Sequence, residues 1–479
     1  MTKKIHEQIF EPQNQAAPMR RKFNKISLSK KTNLILKEVL ERVEPPKEEL
    51  EIIEKYLKEF LKKFEKRLRV LKINAEIFVG GSFAKNTLIK KNKYDIDIFI
   101  RFDKKYKDEI SNLTKKIIRN FKNVSLVHGS RDYFRIKMNS YFFIELIPVI
   151  KVKNPKEAEN ITDLSYSHVN YIRKRLKSKR ILDEVRIAKA FCYANNCYGA
   201  ESYINGFSGY SLELLIYYYG SFIKFIKVVS KINAQKSRIS GATKSKTALS
   251  RRKEQDFVGK KKIIIDIEKK HKNKQSILMD LNSSKLNSPI ILIDPTYKQR
   301  NALAALSKET FERFRKDCKK FLKAPSIKAF EIKKTDLEKI KENARKKKLE
   351  FVLIEAKTSK QTGDVAGSKL LKFYRHLNHE IGKFFEIKDR EFDYDEEKSA
   401  KYFFVVKNKK EILIRGPSIK DLKNIKKFKK KHRTSFFKSG RIYAQESSPK
   451  NLKKFIENWK EKNKERIKDM SINGLSIVD

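Results

Sequence analysis

Two aspartates alternate with isoleucines in the segment Asp95–Phe102 of this 479-residue chain. Strict alternation of polar and apolar residues predicts a β-strand, on which side chains two residues apart point to the same face. Asp95 and Asp97 are therefore expected to project together, while Ile96 and Ile98 enter the core. Neighbouring carboxylates repel each other unless cations neutralise them, and a pair of divalent ions can serve both ends of a phosphoryl transfer. The pattern predicts a site for a pair of divalent metal ions.

A glycine-rich turn, Gly80-Gly81-Ser82, precedes the aspartates. Backbone N–H groups at such a turn, together with the hydroxyl of Ser82, can bind a polyphosphate. Lys85 lies one turn further along and adds a positive charge. Gly81, Ser82 and Lys85 are therefore predicted to bind the phosphates of a nucleotide. Alone, an Asp-x-Asp pattern is more often a solvated strand face, so the combination with the turn carries the prediction.

This combination resembles the DNA polymerase beta-type nucleotidyltransferases. That fold has a third carboxylate on a neighbouring strand, and Glu145 lies within the apolar run Tyr141–Val149. A carboxylate among apolar neighbours is costly to bury unless it is paired or bound to a metal. Glu145 is predicted to complete the catalytic metal site with Asp95 and Asp97. The alternative is an edge position or a structural ion pair.

Further segments make the chain similar to the archaeal (class I) CCA-adding enzymes, the tRNA nucleotidyltransferases, from about residue 27 to the C-terminus. The similarity lies in six short stretches: Glu184–Arg186, Tyr198–Glu201, Gly206–Tyr210, Leu214–Phe222, Asp294-Pro295 with Arg300-Asn301, and Gly440–Ala444. The resemblance implies template-independent addition of CCA to the 3′ end of tRNA from CTP and ATP, with two Mg²⁺ ions as cofactors and release of pyrophosphate.

The resemblance also assigns nucleotide contacts residue by residue. Ser165 and His168 match a threonine and a histidine that contact the nucleotide. Lys189 and Tyr198 match contacts to the triphosphate and sugar, and Arg300 matches the arginine that reads the edge of the incoming base.

Two positions depart from the family pattern. Lys85 stands where the family usually has arginine, and a lysine can still hold a phosphate but lacks the bidentate fork. Glu145 stands where an aspartate is common, which lengthens the side chain by one methylene group.

The elements that must position these residues follow from periodicity. The pattern predicts helices and strands in the following order: helices over 27–43 and 48–71, strands over 75–79, 95–102, 125–129, 133–138 and 141–149, helices over 181–195 and 210–231, and alternating helices and strands after residue 336. The expected fold class is α+β, with a polymerase beta-type head (a mixed sheet with flanking helices), a mainly helical central domain, an α+β body and a basic helical tail.

Composition divides the chain further. We expect a flexible basic arm over 1–26, a catalytic head over 27–154 and a central neck domain for nucleotide recognition over 155–325, with a mobile insertion at 234–262. Residues 326–479 are expected to form an α+β body and tail that binds tRNA.

The net charge of +55 favours a polyanionic partner. Lysines concentrate in Lys420–Arg433 and Lys450–Lys468, where phosphate contacts would give affinity for tRNA without base readout. The alternative is a lysine-rich solvated face.

Three cysteines are too few for a disulfide framework or a four-thiolate zinc site, and the first residues have no apolar signal segment. The most apolar stretch, Ser211–Val229, is interrupted by Glu213, Lys224 and Lys227, so no membrane span is expected. A cytoplasmic protein is predicted, and the oligomeric state stays open, with a homodimer as one option.

Two other functions compete with CCA addition. The first is another template-independent nucleotidyltransferase on the same fold, such as a poly(A) polymerase or a terminal uridylyltransferase. The second is a non-catalytic RNA-binding protein with a decayed site. The products formed from each nucleotide distinguish the three.

Overall fold

The computed structural model describes residues 29–129, 131–232, 263–332, 335–409 and 411–478. The predicted arm over 1–26 and the predicted insertion over 234–262 lie outside these residues. The chain divides into two compact units, 1–333 and 334–479. None of the helices within the described ranges combines the length and the apolar content that a membrane crossing requires.

The first unit begins with two amphipathic helices and a five-stranded sheet. Their bounds are α1 (Lys30–Val43), α2 (Lys47–Val70), β1 (Ala75–Val79), α3 (Gly81–Ala84), β2 (Tyr94–Phe102), α4 (Ile110–Ile118), β3 (Val124–Val127), β4 (Tyr133–Lys137) and β5 (Phe142–Ile150). The strand order is β1-β2-β5-β4-β3, with β2 and β5 parallel and the other pairs antiparallel. This mixed sheet confirms the predicted fold class of the head.

The two faces of the sheet differ in polarity, and burial of the apolar face stabilises the sheet. Ile96, Ile98 and Ile100 are fully buried and pack against the apolar stripe of α2, which includes Phe60 and Phe64. Burial of such side chains contributes about 1.5–3 kcal/mol each. The polar residues that alternate with these isoleucines are thereby directed to the opposite face.

Helices dominate the rest of this unit. They are α5 (Ser165–Arg175), α6 (Lys179–Ala194), α7 (Gly209–Tyr219), α8 (Phe222–Ser230), α9 (Lys274–Asp280) and α10 (Lys308–Lys323), with a parallel strand pair β6 (Ile263–Asp266) and β7 (Ile290–Ile293). Short 3₁₀ segments cover Lys104–Tyr106, Pro155–Glu157, Ile161–Leu164, Ser283–Leu286 and Ile327–Phe330. One apolar core joins α1 to α6, α7, α8 and α10.

The single helix predicted over 210–231 is wrong in one respect, because it is broken into α7 and α8. Gly220 adopts a left-handed conformation (φ +76°), and its N–H bonds the carbonyl of Ile216. The Ser221 side chain then accepts from the N–H of Lys224 and starts α8. Glycine as a C-terminal cap followed by serine as an N-cap is sufficient to end one helix and begin another.

The second unit contains two antiparallel sheets. Its elements are α11 (Leu337–Lys346), β8 (Glu350–Thr358), α12 (Asp364–Phe384), β9 (Phe385–Tyr394), β10 (Ser399–Asn408), β11 (Glu411–Ser418), α13 (Leu422–Lys431), β12 (Ser435–Lys438), β13 (Arg441–Ser447), α14 (Leu452–Lys462), α15 (Lys464–Asp469) and β14 (Ile472–Val478). The sheet orders are β14-β8-β10-β9 and β11-β13-β12. The α+β arrangement agrees with the prediction of alternating helices and strands after residue 336.

Candidate active site

Three carboxylates meet on one face of the head sheet. In the parallel register of β2 and β5, Asp97 lies directly opposite Glu145, and Asp95 lies opposite Phe143. All three acidic side chains are half-buried. The predicted acidic residues are therefore brought together by strand alternation and by the pairing of two strands that are far apart in sequence.

The glycine turn fits against this acidic face. Gly81 has φ +60°, and a Cβ built on it would lie 1.7 Å from Oδ2 of Asp97. The N–H of Gly80 donates to the carbonyl of Asp97 over 2.8 Å. Only glycine allows the turn to approach the carboxylate this closely in a left-handed conformation. The turn places Ser82, which is half-buried, beside the same face.

The acidic residues carry more negative charge than their surroundings neutralise. Burial, followed by the charges of Glu145 and Asp95, raises the pKa of Asp97 to about 7. Burial and then the charge of Asp95 also raise the pKa of Glu145. Raised pKa values of this kind indicate a shortage of positive charge, which is the condition that favours cation binding.

Arg135 on β4 is a residue that the sequence did not reveal. It lies opposite Glu145 in the antiparallel register, and its Nε and Nη2 donate to Oε1 of Glu145 over 3.1 and 2.6 Å. Both bonds go to one carboxylate oxygen, so Oε2 is not held by this arginine. The ion pair that was weighed as an alternative role for Glu145 is thus present.

The donor chemistry of the site suits a hard divalent cation, because all three groups are carboxylates. Within the described ranges, however, no group of three or more His, Cys, Asp and Glu side chains is spaced to hold a metal ion. The contact with Arg135 draws one oxygen of Glu145 toward β4. The carboxylate chemistry of Asp95, Asp97 and Glu145 therefore suits such a cation, but as placed these three side chains do not form a three-ligand site.

Lys91 is a second residue that sequence reasoning missed. It is half-buried, and its ammonium lies 5.0 Å from the ring centre of Tyr193. Burial opposes its charge, but Tyr193, Asp95 and Asp97 together raise the pKa of Lys91. A positive charge therefore lies near the two aspartates.

The carboxylate of Glu213 contacts both lysines that are predicted to bind the triphosphate, Lys85 and Lys189. Nζ of Lys85 donates to Oε2 of Glu213 over 2.6 Å, and Nζ of Lys189 lies 3.3 Å from Oε1. Lys189 also donates to the hydroxyl of Thr87 over 2.8 Å. Tyr198 is near this cluster, because a Cβ built on Gly209 would lie 2.9 Å from its hydroxyl and 3.8 Å from Cε of Lys189.

His168 and Arg300 are also brought together, by Asp294. Nε2 of His168 is 3.0 Å from Oδ2 of Asp294, and Nη1 of Arg300 donates to the same oxygen over 2.6 Å. Tyr210 donates to Oδ1 over 2.9 Å and stacks on the His168 ring. Burial opposes ionisation, but His168 and Arg300 hold the pKa of Asp294 below its usual value. Ser165 begins α5 one turn before His168, so it lies on the same side of that helix.

The site as a whole combines donors and positive charges that suit a polyphosphate with an acidic sheet face that suits a cation. Its parts come from the glycine turn, two paired strands, α5, α6, α7 and the segment after β7. Groups of this kind act in phosphoryl transfer by positioning and by stabilising charge.

Two family models match the first unit. The model described as a nucleotidyltransferase domain covers residues 53–186, which include the glycine turn and all three acidic residues. The model described as the second domain of tRNA nucleotidyltransferase covers residues 183–331, which include Lys189, Glu213, Asp294 and Arg300.

Three curated relatives match along most of the chain. A CCA-adding enzyme of Nanoarchaeum equitans is 31% identical over 406 residues, covering 84% of this chain and 90% of that protein. A CCA-adding enzyme of Methanocaldococcus jannaschii is 29% identical over 423 residues, and one of Archaeoglobus fulgidus is 28% identical over 435 residues. In both, the match covers 86% of each chain.

Proposed function

Because the chain belongs to the family of archaeal CCA-adding enzymes, we propose that its acidic face catalyses the template-independent addition of CCA to the 3′ end of tRNA. CTP and ATP are the nucleotide substrates, and pyrophosphate is the leaving group. The observation that carries the proposal is the register that sets Asp97 opposite Glu145, with the Gly80-Gly81 turn packed against Asp97.

Nucleotidyltransferase domains work with divalent metal ions, and we infer that here they are two Mg²⁺ ions. Asp95, Asp97 and Oε2 of Glu145 would hold them. When bound, such ions lower the pKa of a hydroxyl nucleophile and neutralise a leaving phosphate. Arg135 keeps Glu145 beside Asp97 by fixing its other oxygen.

The nucleotide would lie between the acidic face and the buried polar residues of the helical region. Gly81 and Ser82 offer a backbone N–H and a hydroxyl to the phosphates, and Lys85 and Lys189 supply positive charge. Tyr198 borders the same cluster and suits a sugar contact.

The base would be read near Asp294. Arg300 and His168 are both fixed by this carboxylate, and Ser165 lies one turn before His168 on α5. The hydrogen bond to Asp294 uses only Nη1 of Arg300, so Nε and Nη2 would be the groups that contact a base edge. This arrangement supports the role of Arg300 in distinguishing base edges.

We further propose that tRNA is held by phosphate contacts in the second unit. Lys420–Arg433 contains seven lysines, one arginine and one acidic residue, and most of it forms α13. We propose one role for each of the predicted domains. Catalysis is assigned to residues 27–154, nucleotide recognition to 155–325 and tRNA binding to 326–479. A cytoplasmic location fits this activity, and sedimentation of the purified protein tests whether it forms a homodimer.

Nucleotide addition to tRNAs that end before C74, C75 and A76 tests the proposal. With CTP and ATP together, all three substrates should be extended to CCA and no further. Long tails from ATP or UTP alone would instead favour a poly(A) polymerase or a terminal uridylyltransferase. Binding of tRNA with no incorporation in Mg²⁺ would favour a non-catalytic RNA-binding protein.

A further inference from the structure

Glu213 is a charged residue at the centre of the first unit for which the proposed chemistry has no direct use. It lies on α7 with none of its side chain exposed. Its Oε2 accepts from Lys85, and its Oε1 accepts from the hydroxyl of Thr87 over 2.8 Å and from Lys189. Every strong donor around this carboxylate therefore comes from a segment that borders the nucleotide site.

The charges in this cluster do not cancel. Two lysines share one carboxylate, so one positive charge remains. Burial and the repulsion from Lys85 lower the pKa of Lys189 to about 8, although the attraction of Glu213 acts in the opposite direction. Burial opposes ionisation of Glu213 as well, but Lys85 and Lys189 hold its pKa below the usual value. A buried cluster with a surplus positive charge is suited to an anionic ligand.

The location of Lys85 connects this surplus to the rest of the site. Its positive charge acts to lower the pKa of both Asp97 and His168. Lys85 follows the glycine turn. The backbone after it is held by Arg186 of α6, which donates to the carbonyls of Asn86 and Leu88 over 3.0 and 3.2 Å. With the backbone fixed in this way, the carboxylate of Glu213 determines where the long side chain of Lys85 ends.

We propose that Glu213 is a positioning residue that sets the affinity for the nucleoside triphosphate by holding the ammonium groups of Lys85 and Lys189 in place. This inference rests on the proposed function, because it assumes that the two lysines contact the triphosphate. Glu213 itself does not contact the nucleotide. Its effect should appear in the KM for CTP and ATP, and much less in kcat or in tRNA affinity.

The test is Glu213→Gln, which preserves side-chain size and one acceptor for Thr87 but removes the charge. Hydrogen bonds to charged groups are worth about 1.5–3 kcal/mol, so KM for CTP and ATP should rise about 10- to 100-fold. We expect kcat to change less than about threefold and tRNA affinity to stay at the wild-type value. Glu213→Asp, which keeps the charge at shorter reach, should recover part of the loss.

A double-mutant cycle tests whether Glu213 acts through Lys85. In a Lys85→Met background, Glu213→Gln should add much less to KM than it does in the wild-type chain. Glu184→Gln is the matched control, because Glu184 is another largely buried glutamate of this unit but accepts from the N–H of Phe222 instead. Its KM should stay at the wild-type value.

Several results would overturn the inference. One is an unchanged KM in Glu213→Gln, and another is a fully additive effect with Lys85→Met. Equal losses in kcat, KM and tRNA affinity would indicate a general folding role. If Glu213→Gln does not fold, Thr87→Val decides. It removes the hydroxyl that donates to Glu213 and accepts from Lys189, so KM should rise about tenfold or more for the loss of bonds to charged groups. A wild-type enzyme that adds no nucleotide would instead refute the proposed function.

Discussion

Gly81→Ala should disturb the geometry of the acidic face much more than it lowers the stability of the fold. Residue 81 has φ +60°, a left-handed conformation that costs an alanine about 1–2 kcal/mol. The added Cβ would lie 1.7 Å from Oδ2 of Asp97, whereas real contacts stay above 3.0 Å. The carboxylate and the turn must therefore separate by at least 3.0 − 1.7 = 1.3 Å.

A displacement of this size should reduce activity far more than stability. Misplacing a reacting group by 1 Å can cost about 10²-fold in rate. We therefore expect single-turnover addition of CMP to fall by about 100-fold or more, with the melting temperature lowered by a few degrees, about what 1–2 kcal/mol produces. The assay measures incorporation at saturating CTP and tRNA, together with thermal unfolding of the same preparation.

Gly220→Ala is the matched control. Gly220 also has a positive φ of +76°, but no heavy atom lies within 4 Å of a Cβ built there. This variant should lose comparable stability and retain its rate of addition. If Gly81→Ala and Gly220→Ala lose activity equally, backbone strain alone accounts for the effect and the reasoning about Asp97 is wrong.

Three further predictions concern other parts of the molecule. Asp97→Ala should abolish incorporation and leave tRNA affinity within about twofold, measured by filter binding, since phosphate contacts dominate that affinity; a parallel loss of binding would contradict this. Arg135→Met should lower the rate of addition about tenfold because both hydrogen bonds of the guanidinium to Glu145 are lost. Arg135→Lys should lose less, and equal losses would refute a role for the charge. The double variant Lys426→Gln, Lys430→Gln tests the contact between α13 and RNA. When the logarithm of tRNA affinity is plotted against the logarithm of salt concentration, its slope should be smaller in magnitude than that of the wild type by about one to two. An unchanged slope would mean that α13 does not contact RNA.

The acidic face could be predicted because its determinants are local. Alternation with isoleucine identified the direction of Asp95 and Asp97, and an acidic residue inside an apolar strand identified Glu145. The glycine turn was also a local signal. Sequence alone could not supply the register of β2 with β5, which sets Asp97 opposite Glu145.

The residues that escaped prediction depend on contacts between distant segments. Arg135 lies on β4, and it becomes part of the site only because β4 pairs with β5. Glu213 had a signal, because it is an acidic residue within an apolar helix, but the sequence gives no sign that Lys85 and Lys189 converge on it. The pair Gly220-Ser221 could have predicted the break between α7 and α8. The apolar periodicity on both sides of the pair favoured one continuous helix instead.

Asp294 has a consequence for dissecting this protein into fragments. Its side chain joins α5, α7 and the segment after β7, through His168, Tyr210 and Arg300. A shortened protein that ends after α8 would retain the three acidic residues and the glycine turn, yet His168 and Tyr210 would lose the carboxylate that orients them. Under the proposed role of Arg300 in reading the base edge, a fragment that discriminates between cytosine and adenine must therefore extend beyond residue 300.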